Sequence, residues 1–260
     1  MRTGSCLAIL LLLNILSSSA CAPRQLRPIA TIDHTPLLEA VQERRSILET
    51  GLSGTLEMDF KGGERRFRGK SYIVAYPGGR FRLEIPGPWG STYLVMTCDG
   101  REVLAYYPEE GKAFRSLAEG RSVNPHLPFP LPVDPIMIPA LFMGVFPDGG
   151  EVSKASASLM DSGVKSLRAG WGDTQLQFHY LFAKGSDSVL TEVTAHEKDM
   201  RLIVHTGENP PYLPRDFSLT FPDASLKGQW RQAALFKGSE ADLELRIPGH
   251  VTVIDLEEMP

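Results

Sequence analysis

Apolar and polar residues alternate with a period of two through most of this chain, and that alternation limits the fold more than any other feature. Leu52, Gly54, Leu56, Met58 and Phe60 alternate with Ser53, Thr55, Glu57 and Asp59. A strand with this pattern buries one face and wets the other. Gly62-Gly63 then turns the chain, and 67–76 returns as a hairpin partner. Phe81, Leu83 and Ile85 oppose Arg80, Arg82 and Glu84 on the next strand, and a Pro86-Gly87-Pro88-Trp89-Gly90 turn leads into 91–98. Further strands are predicted over 102–107, 151–160, 164–169, 175–182, 189–196, 201–206, 216–221 and 228–235, with one more in the tail at 251–256.

Helical signals occur twice. Thr35-Pro36 reads as an N-cap followed by proline at the first helical position, and Leu37, Leu38, Val41, Arg45 and Leu48 follow at helical spacing, predicting a helix to about Glu49. Between Asn124 and Pro139 stand six prolines in sixteen residues, a lid-like insertion whose Asp134-Pro135 caps a short apolar helix to about Val145. Some ten or eleven antiparallel strands with two helices describe a mainly β chain built on one continuous, strongly curved sheet. Neither an internal repeat nor an internal domain boundary is evident.

The N-terminus predicts a location. Arg2 starts a segment whose apolar run, Leu7 to Leu16, ends in Ser18-Ser19-Ala20-Cys21. That run is too short for an ordinary spanning helix and resembles a bacterial lipoprotein signal, 1–20, cut before Cys21. Cys21 is then the lipidation site. An ordinary secretory signal cut near Ala20 or Ala22 is the alternative. The mature chain divides into a lipidated tether, 21–34, a barrel domain, 35–236, and a C-terminal extension, 237–260. With a formal charge of −4, the chain has no nucleic-acid signature. Cys6 leaves with the signal and Cys21 is acylated, so Cys98 stands alone and no internal disulfide framework exists.

Catalytic and metal motifs are scarce. His196-Glu197 begins like a zinc-protease helix, but the required second histidine position holds Met200, and no metal site is expected. Gly69-Lys70-Ser71 has the wrong glycine spacing for a phosphate loop and reads as strand. A nucleophile elbow is absent, and the six histidines stand without an evident Asp or Ser partner. No catalytic residue, cofactor or enzymatic activity is therefore expected. Arg65, Arg66, Arg68, Lys70, Arg80 and Arg82 form the one basic concentration, either a solvated face or a surface for an acidic partner or anionic lipid head groups.

The stretch Phe81-Arg82-Leu83-Glu84-Ile85-Pro86-Gly87-Pro88-Trp89-Gly90-Ser91-Thr92 resembles the outer-membrane lipoprotein receptor family LolB, in which an Arg-Leu-x-Leu strand runs into Asn-Pro-Leu-Gly-Ser-Thr. Leu127-Pro128-Phe129-Pro130-Leu131 resembles that family's Pro-x-Pro-Leu segment, and Leu141 to Gly144, Pro147-Asp148-Gly149 and Leu213-Pro214 follow in the family's order. The resemblance spans 38–235. It implies a single half-open, unclosed antiparallel β-barrel with helices covering its apolar concave face, and an acyl-binding cavity there.

Leu56, Met58, Leu83, Ile85, Tyr93, Val95, Ile136, Leu141 and Phe142 are the candidate lining; an ordinary closed core is the other reading of the same residues. In the family the turn's leucine protrudes and hands lipoproteins into the membrane. Pro88, Trp89 and Gly90 form the corresponding candidate insertion loop, with Trp89 at the leucine position and Gly87 at the asparagine, although Trp89 folded back over the barrel end is also compatible. The resemblance implies a monomer at the outer membrane, facing the periplasm, with acylated lipoproteins and a LolA-like carrier as partners. A lipid-binding sensor or scaffold lipoprotein is the rival reading.

Overall fold

The computed structural model describes residues 26–118, 133–148, 150–172 and 175–256. The expected signal peptide, 1–20, Cys21 and the Leu127–Leu131 motif lie outside them. In chain order the elements are β1 (Pro28–Ile32), α1 (Thr35–Leu48), β2 (Leu52–Gly62), β3 (Arg65–Ala75), β4 (Phe81–Pro86), β5 (Thr92–Cys98), β6 (Glu102–Tyr107), β7 (Lys112–Leu117), α2 (Ile138–Met143), β8 (Val152–Met160), β9 (Lys165–Trp171), β10 (Gln177–Phe182), β11 (Leu190–Glu197), β12 (Met200–Thr206), β13 (Pro214–Thr220), β14 (Ala224–Leu235) and β15 (Thr252–Asp255). All fifteen strands join one sheet in the order β1-β8-β9-β10-β11-β12-β13-β14-β2-β3-β4-β5-β6-β7-β15. Its two edges do not pair with each other, so the barrel is unclosed, and every pairing is antiparallel except β15 on β7. The expected fold class is the one observed.

The inner face follows from alternation. Leu52, Leu56, Met58 and Phe60 of β2, Phe81, Leu83 and Ile85 of β4, and Leu202 and Val204 of β12 are buried in one apolar cluster that also takes in both helices. α1 contributes Leu37, Val41, Arg44 and Leu48, spaced by three and four residues so that they share one face. Its start differs from expectation by one step. Thr35 is already helical, and the Asp33 carboxylate does the capping, accepting from the Thr35 backbone N–H at 3.0 Å and its hydroxyl at 2.9 Å. α2 is shorter than predicted because a 3₁₀ turn, Pro135–Met137, precedes it and Gly144 ends it in the left-handed conformation.

Two strands, β1 and β7, exceed the expected pattern, and the expected tail strand is β15. Pro28–Ile32, which falls within the expected tether, pairs with β8 as an exposed edge. β7 extends the β4–β6 meander. The extension beyond 236 is a strap across the outer face rather than a free tail. Phe236 N–H donates to Gly51 O at 2.9 Å, Arg82 donates to Glu244 O at 2.7 Å, Leu243 is buried, and β15 closes on β7.

Candidate functional site

The concave face gathers six of the nine candidate lining residues. Leu56, Met58, Leu83, Ile85, Leu141 and Phe142 are buried in the common cluster. Phe142 stacks on Phe217 of β13 with ring centroids 4.0 Å apart, which fastens α2 to the sheet. Ile136 is half-buried before α2. Tyr93 and Val95 lie on the opposite face: Ile85 pairs with Leu94 and Leu83 with Met96, so Leu94 and Met96 point inward, while Val95 sits opposite Glu84. This corrects the expected phase of β5. Two polar atoms of the inner face, Tyr180 Oη and Trp230 Nε1, are buried without a partner among the described residues.

Arginine holds the helical cover. The buried Arg44 guanidinium donates to Met143 O (2.5 Å), Gly144 O (2.9 Å) and Tyr212 O (3.0 Å). The first two are carbonyls at the C-terminal end of α2, where no intrahelical donor remains and a cation is favoured. Burial lowers the Arg44 pKa to about 10, which leaves it cationic near neutrality. Arg45 adds bonds to Phe146 O, Pro147 O and Asp148, and Phe146 stacks on Trp171 at 4.9 Å. One helix thus clamps the other through main-chain oxygens.

The β4–β5 turn presents Trp89 completely, at 101 % relative exposure. Its backbone is left-handed (φ 63°), as is that of Gly90 (φ 82°). A bulky residue rarely takes that conformation. Hydrogen bonds within the turn enforce it: Gly87 N–H to Ser91 O (2.9 Å), Ser91 N–H to Pro88 O (3.3 Å) and the Ser91 hydroxyl to Pro88 O (2.9 Å). A Cβ on Gly87 would lie 2.6 Å from Ser91 Oγ, so a larger residue at the position of the family's asparagine must displace the Ser91 hydroxyl. Tyr93, 40 % exposed, packs edge-on against Tyr107 at 5.7 Å below the tip.

Other candidates resolve differently. His205 is not isolated: its Nδ1–H donates to Asp216 Oδ1 at 2.5 Å, while Nε2 faces Glu192 at 3.6 Å. Burial pushes the Asp216 carboxyl upward, but the bonds from His205 and Arg215 outweigh it and leave its pKa low. No group of three His, Cys, Asp or Glu among the described residues could hold a metal. The basic concentration also divides. Arg82 pairs with Glu84 and Arg80 lies 5.3 Å over the Tyr76 ring, whereas Arg65, Arg66, Arg68 and Lys70 are exposed on the β2–β3 hairpin.

No family profile matches the sequence, and no curated protein matches it. Solved structures do. A domain provisionally described as an outer membrane lipoprotein-sorting protein, from Vibrio parahaemolyticus, is 14 % identical over 79 % of this chain and 94 % of its own, with a TM-score of 0.51. A LolA superfamily protein from Nitrosomonas europaea is 7 % identical over 80 % and 97 %, with a TM-score of 0.49. At 14 % identity the Vibrio likeness is one of fold, and neither protein is described as LolB.

Proposed function

We propose that this chain is an outer-membrane lipoprotein that binds the acyl chains of other lipoproteins between its helices and the concave sheet and helps insert them into the membrane, with no catalytic step. Trp89 carries the reading. An indole held wholly in solvent by a self-bonded, left-handed turn has no stabilising role in the body, and its amphipathic ring favours the membrane interface. The shared sorting-type fold and the apolar inner face support it. Movement of cargo would follow apolar burial: acyl chains leave a LolA-like carrier for this site, then leave this site for lipid. Cys21 would hold the molecule to the outer membrane, facing the periplasm.

The test is transfer of an acylated lipoprotein from its carrier into liposomes. Trp89→Glu should keep parent-like thermal stability and acyl uptake while transfer slows by tenfold or more, because a carboxylate does not enter the interface. Trp89→Leu should transfer like the parent. Parent-like transfer by a stable Trp89→Glu variant would remove the turn from the mechanism. Acyl binding without transfer by the parent protein itself would favour a second reading, an envelope lipid-binding sensor or scaffold lipoprotein without cargo transfer. The close packing of Leu56 and Leu141, both at 0 % exposure, is the observation behind it.

A further inference from the structure

We infer that the β2–β3 hairpin tip is a docking surface for anionic lipid head groups, acting beside Trp89 so that the bilayer this protein engages is an acidic one. The inference rests on the membrane-facing reading of Trp89 and adds the chemistry of the surface. Residues 61–70 hold Lys61, Arg65, Arg66, Arg68 and Lys70 against one carboxylate, Glu64, in a chain whose formal charge is −4. The rest of the molecule is therefore acidic, and the charge asymmetry orients this end toward a negative surface.

Register sharpens the point. At the base of the hairpin the rungs are complementary, Glu57 opposite Lys70 and Asp59 opposite Arg68. At the tip Lys61 stands directly opposite Arg66, a like-charge rung that is destabilising within a sheet. Neither residue forms an ion pair among the described residues, and both are exposed. Folding alone gives no reason for that rung; an external anion does.

The hairpin and the Trp89 turn lie at the same end of the sheet. β3 begins at the end of the sheet where β4 finishes. Arg65 is near enough to Tyr107 to oppose the rise that burial imposes on that phenol, and Tyr107 packs on Tyr93, four residues past Trp89. Carboxylates at this end are Glu64, Glu109, Glu110 and Asp223, whose carbonyl accepts from Gly63 N–H at the hairpin tip, and Glu109 shares the Ser91 hydroxyl with Pro88 O. An exposed indole at the same end of the sheet as the exposed like-charge pair Lys61 and Arg66 matches an interface with acidic head groups, where each basic residue adds attraction and salt removes it.

The experiment uses the full chain carrying Cys21→Ala, so that no acyl anchor contributes, and sedimentation with vesicles of phosphatidylcholine alone or of equimolar phosphatidylcholine and phosphatidylglycerol. Binding should be confined to the phosphatidylglycerol vesicles and lost at high salt. Arg66→Glu with Arg68→Glu should weaken it by at least about tenfold. Lys61→Gln with Arg66→Gln should weaken it less and leave the melting temperature unchanged or raised, since a repulsive rung is removed. Equal binding to both vesicles, parent-like binding by the charge variants, or capture by polyglutamate in place of vesicles would each overturn the inference. If Trp89→Glu still blocks cargo transfer in those cases, the function stands and only the head-group preference falls; normal transfer by Trp89→Glu would remove the turn from the mechanism, and no transfer by the parent would remove the function itself.

Discussion

Arg44 and Cys98 show what burial does to single side chains here. Arg44 is a buried cation retained by three carbonyl oxygens, two of them at the end of α2. Arg44→Met keeps most of the volume but leaves those oxygens without donors, at a cost of about 3 kcal/mol after the relief of burying a charge is counted. Urea unfolding measures the loss, and cleavage near 143–148 should quicken because α2 is no longer clamped. Cys98 lies inside the cluster under β4 and β6, and burial pushes its thiol up to about 11 from 9.0. At pH 8 the thiolate fraction then falls about a hundredfold. Thiol-reactive maleimide should leave Cys98 unmodified in the folded protein and modify it in denaturant, and fast modification of the native protein would contradict the burial.

The strap sets the behaviour of its neighbours at the scale of elements. It passes over Arg82, whose cross-strand partner is Thr97, and then lays β15 on β7 through Thr252 N–H to Gly111 O and Arg115 to Asp255. Val95 and Ala113, on the outer face, are buried as a result. Ending the chain after Gly238 should cost about 3 kcal/mol through lost burial of Leu243, Val95 and Ala113, and should leave β7 as an open edge that self-associates. Urea unfolding and gel filtration check the two outcomes. The strap also explains what the sequence conceals. Strands with one wet face, such as β2 and β4, are legible from alternation, and so is the open sheet they imply. β5 reads Thr-Tyr-Leu-Val-Met-Thr-Cys, apolar on both faces because the strap covers its back, so its phase is fixed only by pairing with β4 and not by its own pattern. Tyr93 and Val95 were assignable to the wrong side for that reason. β1 is exposed along nearly its whole length and carries no alternation, while β7 and β15 each depend on a partner distant in sequence. Trp89, by contrast, is legible from the Pro-Trp-Gly turn itself, but its full exposure comes from hydrogen bonds that no spacing announces.

For the molecule as a whole, the proposed acylation of Cys21 makes attachment and body separable. No described helix is long and apolar enough to cross a membrane, and the clamp, the turn and the basic hairpin all lie after residue 26. Cys21→Ala should therefore move the protein from the membrane fraction to the soluble fraction after a high-salt wash, with its melting temperature unchanged; membrane association that survives the wash would refute acylation as the anchor. The centre of the sheet has a further consequence. β2 and β14 pair along eleven rungs, joining 52–62 to 224–235. Between those two stretches the chain must supply nearly every other strand, so the long seam is stitched late, when synthesis is almost complete. Until then the β2–β7 meander waits with β2's edge bare and part of its apolar face uncovered, a nascent intermediate open to wrong pairing with other chains.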